Sequence, residues 1–170
     1  MSNTYELIAS TSLGSAAASI EFNSIPSTFT DLILKLSLRA SDSGSNWYLA
    51  KLTFNGDTTS GNYSSRLIGA FGTSVYSTNS NYYSGYIPSG ARTASTFGNN
   101  EIMIPNYLAS TQKSISTDSV TEGNGSSYEI LGLWAGLWTG TAAINSITIA
   151  SDTGNLAQYS SAYLYGIKSS

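Results

Sequence analysis

The chain has 170 residues, with 10 acidic and 7 basic side chains, no His and no Cys. Without His or Cys it lacks the usual ligands of zinc, copper and iron–sulfur sites and most of the side chains used in acid–base and nucleophilic catalysis. A net charge of −3 and scattered basic residues exclude the clustered cations that bind nucleic acid, so we expect a structural or binding protein without a cofactor.

The N-terminal residues, Met1 to Glu6, contain no basic segment followed by an apolar run, which is the pattern of a secretory signal. We therefore expect synthesis in the cytoplasm. The longest apolar stretch, Ile130 to Trp138, is interrupted by two glycines and is too short to span a bilayer, so we expect no membrane insertion.

Alternation of apolar and polar residues recurs along residues 1–170, which form one predicted domain. Period-two alternation is typical of strands with one buried face. The predicted strands, in chain order, are Tyr5 to Ala9, Ala17 to Phe22, Asp31 to Arg39, Trp47 to Phe54, Thr96 to Ile104, Lys113 to Val120, Tyr128 to Trp138, Ala142 to Ala150 and Ser161 to Lys168. Clusters of turn-forming residues separate them, and many short strands indicate an all-β antiparallel sandwich or barrel.

The clearest strand is Asp31 to Arg39. Its leucines at positions 32, 34, 36 and 38 fall on one predicted face, which we expect to lie in the core. The opposite face carries Ile33, Lys35, Ser37 and Arg39.

Between Phe71 and Ala94 the alternation is lost, and we expect a long loop or a pair of irregular edge strands. Tyrosines here lie among Ser, Asn and Gly, a mixture typical of binding loops because Tyr offers a large amphipathic contact surface. The alternative is a solvated loop whose tyrosines fold back over the edge of the core. The candidate binding residues are Tyr76, Asn81, Tyr82, Tyr83 and Tyr86.

The predicted strand Tyr128 to Trp138 is apolar on both faces. One face of a two-layer sandwich is normally solvated, so a second apolar face must be covered. The candidate subunit interface is Ile130, Trp134 and Trp138; the favoured alternative is cover by the protein's own loops or a bulge that swaps the faces. Stacking of a sugar ring on a tryptophan is a third interpretation, the weakest because indoles in the middle of strands usually belong to the core.

Asp118 and Glu122 are the only paired carboxylates close in sequence, and two carboxyl groups about 5 to 10 Å apart could catalyse glycoside hydrolysis. A solvent-facing role is the stronger interpretation, and we predict no catalytic residue. The Asn55–Asp57 and Asp152–Asn155 segments match turn chemistry better than a calcium loop, so we also predict no metal site.

Several phrases of the sequence resemble a family of small virion proteins of tailed bacteriophages, many from marine and cyanobacterial hosts. The likeness spans nearly the whole chain and consists of structural phrases rather than a catalytic signature. They are Tyr5 to Ser10, Ser19 to Phe22, Ile25-Pro26, Thr28 to Leu32, Phe54 to Asp57, Asn62 to Ser64, Ile104 to Tyr107, Lys113-Ser114 and Tyr163 to Ile167.

The resemblance implies a β-sandwich of jelly-roll type, displayed on the virion as a capsid decoration (cement), head-fibre or tail-fibre protein. We therefore expect a non-enzymatic structural protein on the particle exterior that binds the major capsid protein or another virion protein, and that forms a homo-oligomer. The alternative is a carbohydrate- or receptor-binding module of a tail fibre, with a host glycan on the Tyr-rich segment.

Overall fold

The computed structural model describes residues 4–123 and 129–168 and consists of two antiparallel β-sheets packed against each other. The predicted all-β sandwich is confirmed. Apart from one turn of 3-10 helix at Ser60–Asn62, the regular structure in these residues is strand. Apolar alternation, turn clusters and the absence of amphipathic helical segments all favour this outcome.

The described residues form twelve strands. In chain order they are β1 (Tyr5–Ser12), β2 (Ser19–Phe22), β3 (Asp31–Leu38), β4 (Trp47–Phe54), β5 (Tyr63–Phe71), β6 (Ser74–Ser80), β7 (Tyr83–Pro88), β8 (Gly98–Ile104), β9 (Lys113–Thr121), β10 (Ile130–Trp138), β11 (Ile147–Ser151) and β12 (Ser161–Ile167). The larger sheet has the order β1-β12-β3-β8-β9-β10-β5-β6, and the smaller has the order β2-β11-β4-β7.

Strand β3 lies near the middle of the larger sheet, between β12 and β8. Its four leucines at positions 32, 34, 36 and 38 are buried, which confirms the predicted core face. On the other face, Lys35 donates a 2.7 Å bond to Glu101 of β8, and both side chains are half exposed. Such an exposed ion pair adds little stability.

Three strands depart from the predictions. Strand β5 was not predicted, because Ser65 and Gly69 interrupt its inner face and Ile68 adds an apolar residue outside. Strands β6 and β7 occupy the segment predicted as a loop or a pair of edge strands. The edge-strand interpretation is correct, but the two strands end different sheets.

Four predicted strands also begin later than expected, and two of them, β2 and β8, do so by two residues. Tyr128 lies outside the described residues, and β10 runs from Ile130. Strand β11 begins at Ile147, five residues after the predicted start at Ala142.

The main core fills the space between the two sheets, where β3 and β4 contribute four buried side chains each, more than any other strand. A second, smaller cluster lies under the far end of the larger sheet. It contains Leu67, Tyr86, Ile130 and Trp134. Strand β7 supplies Tyr86, so this edge of the smaller sheet covers part of the inner face of β9, β10 and β5.

We call the four strands β9, β10, β5 and β6 the extension, because they continue the larger sheet beyond β8. The small cluster covers part of the inner face of the extension, and the main core covers Tyr63, Ile115 and Trp138 on the same face. The outer face of the extension is open to solvent.

Two basic side chains are buried. Arg39, predicted on the face of β3 opposite the leucines, is one of them: its guanidinium donates to the carbonyls of Gly90, Arg92, Thr93 and Thr96 at 2.8–3.2 Å. It thereby holds the segment between β7 and β8 against the sandwich. Strand β3 ends at Leu38, one residue before the predicted end, so Arg39 lies outside the alternation of the strand.

Lys113, at the start of β9, is also buried. Its ammonium group donates to the carbonyls of Ala109, Thr111 and Ala142 at 2.6–3.1 Å, and it lies 5.8 Å from the ring centroid of Trp138. Burial lowers the pKa of Lys113. Carbonyl dipoles therefore solvate this charge in place of a carboxylate.

Residues in the sequence phrases that resemble virion proteins contact one another. A β-carbon at Gly166 would lie 2.3 Å from the ring of Phe29, so only Gly leaves room for that ring. The Tyr107 hydroxyl donates to the Pro26 carbonyl, and the backbone N–H of Asn106 donates to the Asp31 carboxylate at 2.7 Å. In these contacts the residues of the resembling segments pack against one another and hold turns in place.

Candidate interaction surface

Tyr86 is a core residue. It is 3% exposed, and its ring makes edge-to-face contacts with Trp47 and Trp134 at centroid distances of 5.1 and 4.8 Å. Its hydroxyl bonds that of Tyr76. The prediction that Tyr86 contacts a partner is therefore wrong: its ring lies against the underside of the extension, in the small cluster with Leu67, Ile130 and Trp134.

Tyr82 also folds back onto the sandwich. Its ring stacks on Tyr63 at 4.5 Å, its hydroxyl donates to the Thr58 carbonyl, and the Lys51 ammonium lies 4.6 Å from its ring centroid. Three groups of the protein itself thus contact the ring and the hydroxyl that Tyr82 would offer a ligand.

The other candidates in this segment differ in exposure. Tyr76 and Tyr83 are half buried and Asn81 is exposed. The Asn81 amide, oriented to satisfy its neighbours, donates to the carbonyls of Tyr63 and Ser80 at 3.2 and 3.1 Å. A binding role for Tyr76, Asn81, Tyr82 and Tyr83 stays a prediction.

The candidate subunit interface lies on the wrong face of β10. Ile130, Trp134 and Trp138 are 1–4% exposed and point into the sandwich, so they are not available to a second subunit. The opposite face carries Leu131 and Leu133, each 54% exposed. The doubly apolar pattern correctly indicated an unusual strand, but period two alone does not say which face is covered.

Leu131 and Leu133 belong to a larger apolar surface on the outer face of the extension. We call it the outer patch; its side chains are 44–74% exposed, and they are Ile68, Val75, Val120, Leu131 and Leu133. Each strand of the extension contributes at least one of them. Sequence reasoning missed Val75 and Val120 because each is a single aliphatic residue among Ser, Thr and Tyr, and it missed Ile68 because β5 was not predicted.

Strand register brings these side chains together. Leu131 pairs with Val120 of β9 on one side and with Ala70 of β5 on the other, and Ala70 pairs with Val75 of β6. In the next row Leu133 pairs with Ile68. Cross-strand neighbours lie about 5 Å apart, so the residues form a continuous surface.

Two shallow grooves border the outer patch. One, of about 340 Å³, is lined by Ile68, Leu133 and Ala135 among others, and the second, of about 400 Å³, by Asn79, Asn81 and Ala135 among others. Both include Arg66, so they meet at this side chain. Asn81 is thus the predicted binding residue that reaches the outer face.

Opposite charges flank the outer patch. Arg66 pairs across the sheet with Ala135 on one side of the patch, and Asp118 pairs with Leu133 on the other. Both are exposed, and neither forms an ion pair or side-chain hydrogen bond within residues 4–123 and 129–168. Asp118 therefore lies on the solvent face, as predicted.

The carboxylate with the strongest lowering of its pKa is Asp57, which follows β4 and lies beside the start of β5 and the end of β10. It accepts hydrogen bonds from Trp138 Nε1 (2.8 Å), Asn62 Nδ2 (2.9 Å) and the Thr59 amide (3.0 Å). These bonds, that of Trp138 above all, lower the pKa of Asp57 to about 2. The perturbation reflects a turn tied to β10 rather than a group poised for proton transfer.

The described part of the chain contains no cluster of three or more acidic side chains suited to hold a metal ion. It also contains no helix of the length and apolarity needed to cross a membrane. Comparison with protein-family models, with curated proteins and with solved structures finds no match.

Proposed function

We propose that this protein is a non-enzymatic structural component of a bacteriophage virion, fixed to the particle exterior as a capsid decoration or head-fibre protein. The observation that carries the proposal is the outer patch: five large apolar side chains that stand 44–74% exposed on one sheet face. Contiguous apolar surface of this kind marks protein–protein contact sites. The resemblance of the sequence to tailed-phage virion proteins is the reason for placing this contact site on a phage particle.

The order of the strands supports a jelly-roll topology, which is common among viral capsid domains. Without β5, β6, β9 and β10, the eight remaining strands can be numbered 1 to 8 along the chain. The larger sheet then has the order 1-8-3-6 and the smaller 2-7-4-5, as in a jelly roll. On this interpretation the extension consists of two insertions, and the insertions carry the outer patch.

The chemistry of the outer patch favours a protein partner. Its centre is apolar, and Arg66 and Asp118 at its border offer one charge of each sign. Interfaces between proteins commonly combine an apolar centre with a polar rim, and rim charges set orientation more than affinity. The partner we propose is the major capsid protein or a neighbouring virion protein.

The alternative of a glycan-binding fibre module has less support. Its proposed site depended on exposed tyrosines, but Tyr86 is buried and Tyr82 is engaged by Tyr63 and Thr58.

Substitution in the outer patch tests the proposal. Particles assembled with Leu133→Asp should carry fewer copies of the protein, because a buried, unpaired carboxylate opposes docking. The matched control is Leu7→Asp in β1, at the other end of the same sheet, since Leu7 is 50% exposed and Leu133 is 54% exposed. Copies per particle are counted by quantitative mass spectrometry, and folding is checked by circular dichroism.

If a folded Leu133→Asp protein is present on particles in the same number of copies as the wild type, the outer patch is not the attachment surface. Absence of the wild-type chain from purified particles would refute the virion role itself.

A further inference from the structure

Three of the four sheet edges carry features that prevent the addition of another strand. Edge strand β1 contains Glu6 and a register shift between Leu7 and Ala9 against β12. Edge strand β2 has only four residues. Edge strand β7 pairs irregularly with β4 and ends at Pro88. Bulges, charges, short length and proline are the usual protections of exposed edges.

The fourth edge, β6, has none of these features. Its seven residues, Ser74–Ser80, pair with β5 in continuous register. The strand contains no charged residue and no proline. Such an edge is a template for pairing with another strand.

Hairpin geometry defines which backbone groups of β6 are free. A two-residue turn at Gly72-Thr73 joins β5 to β6, and Ser74 pairs with Phe71 to close the hairpin. In an antiparallel strand the residues alternate between bonding to one neighbour and to the other. The N–H and C=O groups of Val75, Ser77 and Asn79 therefore point away from β5.

Within residues 4–123 and 129–168 these outward groups have no backbone partner. The nearest side-chain contact is a long one, 3.4 Å, from the Thr78 hydroxyl to the Asn79 carbonyl. Val75 is also the most exposed large apolar residue described, at 74%.

We propose that β6 pairs antiparallel with β6 of a second copy of this chain, around a two-fold axis normal to the sheet. A two-fold contact requires a surface that is complementary to itself, and an uncharged strand places no like charges opposite one another. The register that overlaps the whole strand is centred on Ser77, with Val75 opposite Asn79 of the second copy. It forms six backbone hydrogen bonds.

This arrangement also joins the two outer patches. A two-fold axis normal to the sheet leaves both outer faces on the same side, so Val75 of each copy extends a single apolar surface across the dimer. The inference does not depend on the virion role, and it assigns the outer face to attachment and the β6 edge to self-association.

The experiment is sedimentation equilibrium of the full chain from about 1 µM to 1 mM, a range that detects weak dimers. The variant is Ser77→Pro, which removes an outward N–H without removing a bond to β5, and Ser77→Ala is the matched control. We expect the wild type and Ser77→Ala to form a dimer. For Ser77→Pro we expect the dissociation constant of the dimer to be at least tenfold larger.

Two further measurements do not depend on how well the proline variant folds. Ser77→Lys places like charges together at the axis and should also weaken the dimer. In the wild type, amide hydrogen exchange at Val75, Ser77 and Asn79 should slow as concentration rises.

A wild-type chain that is monomeric at 1 mM overturns the inference. So does a dimer in which these amides exchange freely, or one that Ser77→Pro and Ser77→Lys leave intact. A dimer that is lost only in Leu133→Asp would place self-association on the outer patch instead, which distinguishes the two surfaces.

Discussion

Gly85 and Asn100 are in such close contact that a β-carbon on residue 85 would lie 1.9 Å from Asn100 Oδ1. Gly85 also has φ +137°, a conformation that L side chains rarely adopt. The Asn100 amide donates to the Tyr86 carbonyl at 3.2 Å, so this contact joins β7 to β8. It fixes the edge strand of the smaller sheet against β8 of the larger sheet.

Gly85→Ala should lower the free energy of unfolding by about 2 to 5 kcal/mol, because backbone strain and overpacking act together. Denaturant unfolding gives the value. Gly61→Ala is the control, since a β-carbon there meets no atom within 4 Å. Equal effects of the two substitutions would contradict the close packing of β7 on β8.

Leu34→Ala should cost about 2 to 5 kcal/mol, because Leu34 is fully buried at the centre of the main core. Leu133→Ala should change stability by less than about 0.5 kcal/mol, because Leu133 lies on the open face of the extension. Chemical denaturation of the two variants compares the faces of the larger sheet directly. A cost above about 2 kcal/mol for Leu133→Ala would show that its face is covered within the monomer.

The low pKa of Asp57 predicts that the protein loses stability in acid. The Asp57 pKa of about 2 in the folded protein lies below the value of about 3.9 for an unfolded chain, so its contribution is present above pH 4 and disappears as the pH falls toward 2. Asp57→Asn should cost about 2 to 4 kcal/mol at pH 7, since it weakens three hydrogen bonds to a charged acceptor. The difference between wild type and variant should shrink below pH 4.

Thermal denaturation at several pH values measures this trend. Asp118→Asn serves as the control, because the Asp118 carboxylate accepts no hydrogen bond from the described residues. A constant difference between wild type and Asp57→Asn from pH 7 to pH 2 would count against the bonded carboxylate.

The raised pKa of Tyr63 predicts that the protein loses stability in alkali. Burial raises the pKa of Tyr63 to about 12, whereas an unfolded tyrosine ionises near 10, so its contribution is present below pH 10 and is lost as the pH rises toward 12. Its hydroxyl accepts from the Phe54 amide at 3.0 Å and donates to the Asp57 carbonyl at 2.9 Å. Wild type should therefore lose up to about 2 kcal/mol more than Tyr63→Phe between pH 9 and pH 12.

Unfolding followed by tryptophan fluorescence at each pH gives both curves. Parallel curves for the two proteins would mean that the Tyr63 hydroxyl ionises as readily in the folded protein as in the unfolded chain.

The sequence was sufficient to predict strands where one face is uniformly apolar, as in β3. It was insufficient for β5, whose inner face includes Ser65 and Gly69, and for β6, whose residues are mostly polar and exposed. Gly69 illustrates the reason: a β-carbon at this position would lie 2.8 Å from the Leu131 carbonyl. Where neighbouring atoms leave no room for a larger side chain, a strand contains Gly or Ser. In the sequence alone, such residues cannot be distinguished from those of a loop.

The candidate site was only partly predictable for a related reason. Alternation indicated that β10 has two apolar faces, but the choice between them depends on β7 packing under Trp134, a contact between residues far apart in the chain. The outer patch also requires the register of four strands, which no single segment contains. Tyr86 was misassigned because a tyrosine in a polar segment has the same composition whether its ring points outward or inward.

The placement of the few basic residues affects how the folded chain meets trypsin, which cleaves after Lys and Arg in extended, accessible segments. Lys113 and Arg39 are buried, and Lys35, Lys51 and Arg66 lie within paired strands. The remaining sites are Arg92, whose own carbonyl is bonded by Arg39, and Lys168, which follows β12. Digestion between β1 and β12 therefore first requires the guanidinium of Arg39 to release its segment, so one buried side chain protects the long connection between β7 and β8 from proteolysis.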